Sequence, residues 1–297
     1  MDIFGALSNS THAKILFNEP MKKHTSYGVG GNAKYYADVD SLYTLNELIN
    51  LAREHKIPYK ILGNGTNVLV SDNGYNGIII CTKKLDDVFY VRDEIHAMCG
   101  APLSKLIKFA REHRESGLEA LSGIPATVGG AVVMNAGAFG HNVSDKIVTV
   151  ETLCNGKIKK YSKDECMFNY RGSRFFGKKE IVVSANFKLK SSDREIINAG
   201  IKSFSDLRNS IQPTGKSCGS VFKNPRPETA GRLIDKAGLK GLSIGGAMVS
   251  ERHGNFITTS ARATANDVYE LINYVKKKIK DEFGIELKEE IEFVGEF

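Results

Sequence analysis

Residues 62–70 read Leu62-Gly63-Asn64-Gly65-Thr66-Asn67-Val68-Leu69-Val70. Two short apolar runs, Tyr59 to Leu62 and Val68 to Val70, flank a loop in which glycines alternate with amide and hydroxyl side chains. The runs are too short for helices and read as strands. Glycine lets main-chain N–H groups come close to a phosphate, and successive N–H groups form an anion nest. A second stretch of this kind runs Gly123-Ile124-Pro125-Ala126-Thr127-Val128-Gly129-Gly130-Ala131 and continues to Asn135-Ala136-Gly137-Ala138-Phe139-Gly140. Either loop alone reads equally well as a tight turn. Two of them, each joining short strands, point to a pyrophosphate held between loops.

Working outward, Thr44-Leu45-Asn46-Glu47 has capping-box spacing, and Leu45, Leu48, Ile49 and Ala52 follow at helical period. Ile78 to Ile80 reads as a strand. Pro102 opens a helix carrying Leu103, Leu106, Ile107 and Ala110, which is expected to end at Gly117. Ile147 to Leu153 alternates as a strand, and Asn155-Gly156 turns it back into Ile158 to Tyr161. Ile181, Val183, Ala185, Phe187 and Leu189 share one face of another strand, and Asp193 to Leu207 returns to helical period. Helices are expected around 228–237 and over 265–283, with short strands between 246 and 258. The last helix has Thr264 and Asp267 at capping-box spacing, and Gly284 ends it. Strands and helices mix without regular βαβ alternation, so the fold class is α+β with a mixed or antiparallel sheet. Lys190-Ser191-Ser192-Asp193 marks a boundary between a domain over 1–192, in two subdomains of 1–82 and 83–192, and a second over 193–297.

Composition narrows the function. The chain has 297 residues and a net charge of +7, which suits anionic ligands, from nucleic acid down to nucleotides and pyrophosphates. The densest basic cluster, Lys276, Lys277, Lys278 and Lys280, reads as the solvated C-terminal face of a helix. No aromatic stacking residues are interleaved with the basic positions, which argues against a nucleic-acid module. The five cysteines, Cys81, Cys99, Cys154, Cys166 and Cys218, contain no C-x-x-C pair, and no H-E-x-x-H occurs, so no metal is expected. Irregular, odd-numbered thiols read as reduced. Met1 to Pro20 lacks the apolar run of a secretory leader, and no stretch reaches membrane-span length. Both readings favour the cytoplasm, with no membrane insertion. Gly28-Val29-Gly30-Gly31-Asn32-Ala33 matches G-x-G-x-x-A, but Lys34-Tyr35-Tyr36-Ala37 after it looks like a strand, not the helix a dinucleotide fingerprint needs.

Residues 215–225, Gly-Lys-Ser-Cys-Gly-Ser-Val-Phe-Lys-Asn-Pro, are a third close-approach segment. Their small hydroxyl, Ser220, is a candidate proton donor. Taken in order with Asn169-Tyr170-Arg171-x-Ser173 and Glu290-Ile291-x-Phe293-Val294-Gly295-Glu296, the three segments resemble the UDP-N-acetylenolpyruvoylglucosamine reductase family, from about Thr25 to Glu296. The glycine loops are similar to those of FAD domains of the vanillyl-alcohol-oxidase (PCMH) type. The short stretch between Arg171 and Ser220 resembles the shorter, type II class.

The resemblance implies a domain that binds FAD and a C-terminal α+β domain that binds substrate. It implies NADPH as reductant, a UDP-sugar enolpyruvyl ether as substrate, and a place in peptidoglycan precursor synthesis. Hydride would pass from NADPH through FAD to the enolpyruvyl C3, with Ser220 protonating C2, Arg171 stabilising the enolate and Glu290 completing the site. Glu289 is an adjacent competitor of Glu290. The implied cofactor residues are Gly63, Asn64, Gly65, Thr66, Asn67, Gly123, Ile124, Pro125, Thr127, Gly129, Gly130, Asn135 and Gly137. The implied substrate residues are Tyr170, Arg208, Lys216, Lys223 and Asn224. Three positions depart from the family pattern: Thr66 for serine, Ala126 for glycine, and Ile211 for lysine, which leaves Lys216 or another cation to meet the substrate diphosphate. A different reading of the same residues is an FAD-dependent oxidase or dehydrogenase of this fold with another substrate. Nothing in the sequence fixes an oligomeric state.

Overall fold

The computed structural model describes residues 13–297. The leader reading over Met1 to Pro20 therefore falls largely outside the described residues. In chain order the strands are β1 (Lys14–Pro20), β2 (Asn32–Asp38), β3 (Tyr59–Leu62), β4 (Val68–Val70), β5 (Tyr75–Cys81), β6 (Val88–Val91), β7 (Glu94–Met98), β8 (Ile147–Cys154), β9 (Lys157–Ser162), β10 (Ile181–Phe187), β11 (Ser243–Ile244), β12 (Ala247–Val249), β13 (Ile257–Thr259) and β14 (Glu292–Val294). The helices are α1 (Leu42–Glu54), α2 (Leu103–Glu112), α3 (Val128–Met134), α4 (Arg194–Ile211), α5 (Ala230–Lys236) and α6 (Ala265–Phe283).

The chain divides into two compact units that interleave along the sequence. Tyr36–Gly63 and Ile79–Arg208 make up most of the first, and Leu16–Tyr35, Asn64–Ile78 and Asn209–Phe297 form the second. These units do not coincide with the expected segments 1–192 and 193–297. The first glycine loop, apart from Gly63, belongs to the same unit as the serine segment.

The first unit is built on an antiparallel sheet of order β9-β8-β10-β7-β6. Asn155 and Gly156 both take positive φ, 49° and 74°, and pair Cys154 with Lys157 in the β8–β9 hairpin. Two left-handed residues give the turn whose twist matches that of the strands. Strand β10 is buried along its whole length, not on one face alone. It lies centrally between β8 and β7, and its polar residues are satisfied: Ser184 Oγ donates to Glu151, and Asn186 Nδ2 donates to Glu94 at 2.8 Å. Helix α3 packs on β10 and β7. The core gathers Ile95, Leu106, Val128, Val132, Val150 and Phe187.

In the second unit β11, β12 and β13 form an antiparallel sheet, and α6 packs against β11 and β12. Strand β14 pairs in parallel with β4, Glu292 opposite Val68. Val268, Leu271, Ile272, Val275 and Ile279 of α6 are essentially inaccessible, and each contributes roughly 1.5–3 kcal/mol by leaving water. The Thr264–Asp267 capping box forms, and Gly284 ends the helix at φ 69°. Asp72 adds a second cap, accepting from Ala265 and Asn266 N–H at 3.0 and 2.9 Å. Burial opposes ionisation of Asp267, but donors from Gly246 and Thr264 outweigh it and hold the carboxyl below its ordinary range.

Three expected helix limits shift. Ser41, not Thr44, caps α1, because its side chain accepts from Thr44 N–H. Helix α2 stops at Glu112, before the left-handed Arg114 at φ 57°, and so ends ahead of Gly117. The glycine-rich run 122–140, expected as loop, contains α3. Residues 32–38, after Gly28–Gly31, form strand β2. Among the described residues no helix is long and apolar enough to cross a membrane, and no His, Cys, Asp and Glu group is arranged to hold a metal. All five cysteines are free.

Candidate active site

The first glycine loop has main-chain donors to spare. Gly65 is buried at φ 64°, and a Cβ there would lie 2.0 Å from the His24 carbonyl oxygen. That carbonyl packs so closely that only glycine fits. The Gly65 carbonyl accepts from Ser26 N–H at 2.9 Å. The N–H groups of Gly65, Thr66 and Asn67 donate to no group among the described residues. Three successive unspent donors on a loop held this tightly are an anion nest.

The second loop is built differently. Thr127 caps α3, its hydroxyl accepting from Gly130 N–H, while Val128 and Gly129 N–H donate to the carbonyls of Ala101 and Cys99. Gly129 lies against Cys99, where a Cβ would come within 2.8 Å of the Cys99 Cβ. Gly63 in turn lies against Thr127, where a Cβ would sit 2.4 Å from the threonine hydroxyl. The glycines here serve close packing of chain on chain. Two are exceptions: Gly130 is exposed, where a methyl would meet only Thr127 Oγ1, at 3.5 Å, and exposed Gly140, at φ 82°, has nothing within 4 Å. Next to Gly123, the Ser122 hydroxyl is 5% exposed and has no hydrogen-bond partner among the described residues. Arg208, from the end of α4, folds over this loop: its Nε donates to Ser122 O at 3.0 Å, its guanidinium lies 5.4 Å from the Phe139 ring centre, and burial lowers its pKa.

Helix α3 carries the loop on to the arginine. Asn135 caps it in the left-handed region at φ 45°. The Asn135 side chain is used twice, Nδ2 donating to Asn169 O at 3.0 Å and Oδ1 accepting from Ser144 N–H. Asn169 and Gly172 exchange main-chain hydrogen bonds, and Ser173 Oγ donates to Val133 O at 2.8 Å. The result is a tight hairpin, braced on both sides to α3, with Tyr170 and Arg171 at its tip. The guanidinium of Arg171 lies 5.4 Å from the Tyr170 ring centre. Arg171 itself has φ 54°, a backbone state that costs a non-glycine residue on the order of 1 kcal/mol or more. Gly137 closes the neighbouring turn, where a Cβ would meet Asn142 and His141.

In the second unit the serine segment meets the chain's end. Ser220 pairs with Phe256 and Phe222 with Glu289 in isolated antiparallel bridges. The Glu290 peptide joins two loops: its N–H donates to Val221 O at 2.7 Å, and its carbonyl accepts from Asn67 Nδ2 at 3.0 Å. Glu290 is thus clasped between the serine segment and the first glycine loop. Glu289 is engaged elsewhere, its carboxylate accepting from Lys276 Nζ at 2.5 Å. The Ser220 hydroxyl makes no hydrogen bond among the described residues, and Gly219 before it, at φ 74°, has open space on its Cβ side. Cys218 is 4% exposed and its thiol donates to Val68 O at 3.4 Å. Burial pushes that thiol up to about 12, so it supplies no thiolate at neutral pH. Exposed Lys216 lies along Gly28, which has no side chain to displace it. Lys223 N–H donates to Lys288 O, and Asn224 Oδ1 accepts from Ala230 N–H at the start of α5.

In the second unit the unspent N–H nest suits a phosphate-bearing ligand. Comparison with known proteins identifies it. Residues 33–162 match the FAD binding domain family, and residues 212–294 match the C-terminal domain of UDP-N-acetylenolpyruvoylglucosamine reductase. The reductase of that name from Caldanaerobacter subterraneus subsp. tengcongensis is 44% identical over 95% of this chain and 94% of its own. The one from Listeria innocua is 39% identical over 96% of each. The chain belongs to the UDP-N-acetylenolpyruvoylglucosamine reductase family. The crystal structure of the Thermus caldophilus member superposes with a TM-score of 0.81 at 36% identity, over 96% of this chain and 99% of that one. The protein is accordingly a flavin-dependent oxidoreductase of α+β architecture, with FAD as its cofactor, and carries both an FAD-binding domain and the family's C-terminal domain.

Several side chains that shape this reductase site carry no signal in the sequence. Ser122, Asn169 and Asn255 are single polar residues in irregular segments, and Lys276 lies in a cluster that reads as solvated. Contacts distant in sequence, such as Asn255 to Phe222 and Lys276 to Glu289, give them roles.

Proposed function

We propose that this chain reduces the enolpyruvyl ether of UDP-N-acetylglucosamine to UDP-N-acetylmuramate with NADPH, in peptidoglycan precursor synthesis. Bound FAD supplies the hydride relay from NADPH to the enolpyruvyl C3. The chain's own residues bind, align and protonate. The nest of Gly65, Thr66 and Asn67 receives the cofactor's pyrophosphate, with Gly63 and Asn64 shaping its entry. Gly123, Ile124, Pro125, Thr127, Gly129, Gly130, Asn135 and Gly137 form the second cofactor wall. Arg171 grips the enolpyruvyl carboxylate and stabilises the enolate that develops there, since a guanidinium can bond a carboxylate through two parallel N–H groups. Ser220 Oγ delivers its proton to C2, and Glu290 orients the enol. Tyr170, Arg208, Lys216, Lys223 and Asn224 contact the nucleotide sugar.

The observation that carries this reading is the Glu290 peptide, which ties Val221 beside Ser220 to Asn67 of the cofactor loop. A carboxylate on that residue is fixed relative to both. The Glu289 carboxylate, engaged by Lys276, is the poorer candidate. We take 1–192 as the flavin-binding part and 193–297 as the substrate part, in line with matches over 33–162 and 212–294. Free cysteines accord with a reducing compartment, and we assign the enzyme to the cytoplasm.

The test follows the two half-reactions separately by stopped flow. Ser220→Ala is expected to leave flavin reduction by NADPH within about 2-fold and to slow reoxidation by the enolpyruvyl substrate by about 10²–10⁴, the usual contribution of a positioned acid. Reoxidation at the wild-type rate would remove Ser220 from that role.

A further inference from the structure

Asn255 is 3% exposed and lies beside the serine segment. Its carboxamide covers one edge of Phe222: Nδ2 donates to Phe222 O at 2.8 Å, and Oδ1 accepts from Phe222 N–H at 2.9 Å. Its main-chain carbonyl accepts from Val221 N–H at 2.9 Å. The next residue, Phe256, bridges to Ser220. On the other side, the Val221 carbonyl accepts from Glu290 N–H. Asn255 thus holds one edge of the Val221–Phe222 chain while Glu290 holds the other. Asn255 is itself fixed, because its N–H donates to His253 Nδ1 at 3.2 Å. Burial lowers the pKa of His253, and the Asn255 N–H donated to Nδ1 selects the tautomer with its proton on Nε2.

Gly219, immediately before Ser220, does not fix it by packing. Gly219 has nothing within 4 Å of its Cβ position, and the Ser220 hydroxyl has no partner among the described residues. Val221 and Phe222 are buried, at 0% and 2% exposure. The direction of the Ser220 side chain is therefore inherited from the main chain that follows it. A carboxamide offers one donor and one acceptor side by side, so it can stand in for a neighbouring strand. Aspartate would accept from Phe222 N–H but face its carbonyl with a buried negative charge.

We infer that Asn255 is a positioning residue for proton delivery: its carboxamide sets the Ser220–Phe222 main chain and with it the spacing between Ser220 and Glu290. This rests on the reading of Ser220 as the acid. Misplacing a reacting group by about 1 Å costs on the order of 10²-fold in rate.

The experiment compares Asn255→Asp and Asn255→Ala with Ser220→Ala in the full-length flavin-loaded enzyme. For Asn255→Asp we expect flavin content and NADPH-driven reduction within about 2-fold of wild type, and substrate-driven reoxidation slower by about 10²-fold. Amide exchange at Phe222, read independently of activity, should quicken in Asn255→Ala, which removes the acceptor of that N–H. Ser220→Ala combined with Asn255→Asp should be no slower than Ser220→Ala alone, because both changes act on one step. If Ser220→Ala reoxidises at the wild-type rate, the acid reading falls and the positioning role falls with it. If Ser220→Ala is slow but Asn255→Asp is as fast as wild type, the positioning role alone falls. It also falls if Asn255→Asp slows both half-reactions equally or fails to retain flavin, since Asn255 is then part of the general frame. Should Asn255→Ala not fold, Asn255→Asp decides the matter.

Discussion

The two glycine-rich loops look alike as sequence and are built on opposite principles. In the first, the chain is pinned from behind by the His24 carbonyl, and the N–H groups of Gly65, Thr66 and Asn67 are left unspent among the described residues. In the second, Val128, Gly129 and Gly130 N–H are consumed within the protein, and the glycines let chain pack on chain. Glycine thus has two uses in one cofactor-binding fold. One leaves backbone donors unspent. The other brings α3 close enough to β7 and β10 for its C-terminal cap, Asn135, to brace the hairpin carrying Arg171.

The contrast breaks first at Gly65. Gly65→Ala puts a methyl 2.0 Å from a backbone oxygen and forces a side chain into positive φ. A backbone neighbour cannot swing aside, so we expect a loss on the order of 2–4 kcal/mol. Flavin retention should fail together with thermal stability, measured by absorbance after gel filtration and by a melting curve. A variant that melts and binds flavin like wild type would show that the pinned loop is not what the cofactor needs.

The first loop was legible from sequence because its cause is local: alternating glycine and polar residues between strands. The same holds for α6, whose capping box, apolar stripe and terminal glycine all lie within one periodic segment. Helix α3 was not legible. Val128-Gly129-Gly130 begins it, and glycine has poor helix propensity. What stabilises it is Thr127 at its start and contacts with β7 and β10, which no local pattern announces. The interleaving of units was also hidden. Strand β4 lies in the expected flavin-binding segment, but its parallel partner is β14, at the far end of the chain. For the site, Ser220 stood out by its small neighbours, and Arg171 and Glu290 came from family resemblance alone. Asn255 did not stand out, because its role depends on a hydrogen-bonding edge 33 residues away.

A smaller effect separates the loops at Thr127. Its hydroxyl caps α3 and packs on Gly63. Thr127→Ala removes a helix cap, worth about 1 kcal/mol. The melting temperature should drop by a few degrees, roughly 2–4 °C for a chain of this size. Flavin should be largely retained, since the Thr127 hydroxyl is spent on Gly130 N–H and the rest of the cofactor wall is unchanged. Loss of flavin without loss of stability would mean that the hydroxyl faces the cofactor and that the two loops are more alike than their hydrogen bonds suggest.

The smallest effect is the sharpest. Gly130 is exposed, has no positive φ, and offers a methyl nothing nearer than 3.5 Å. Its N–H already serves Thr127, so an added side chain disturbs no internal bond. In a protein without ligand, Gly130→Ala should be stabilising by about 0.5–1 kcal/mol, because alanine loses less backbone entropy on entering a helix. If the second loop approaches the cofactor only here, the same methyl occupies the approach. Apo-protein stability should then rise while flavin affinity falls, read by titrating FAD into deflavinated variant and wild type. Opposite signs would make Gly130 a glycine of the second loop kept for a ligand, as proposed for Gly65 to Asn67 in the first. A rise in stability with unchanged affinity would leave the second loop purely a packing device and place the whole of the backbone anion contact on the first.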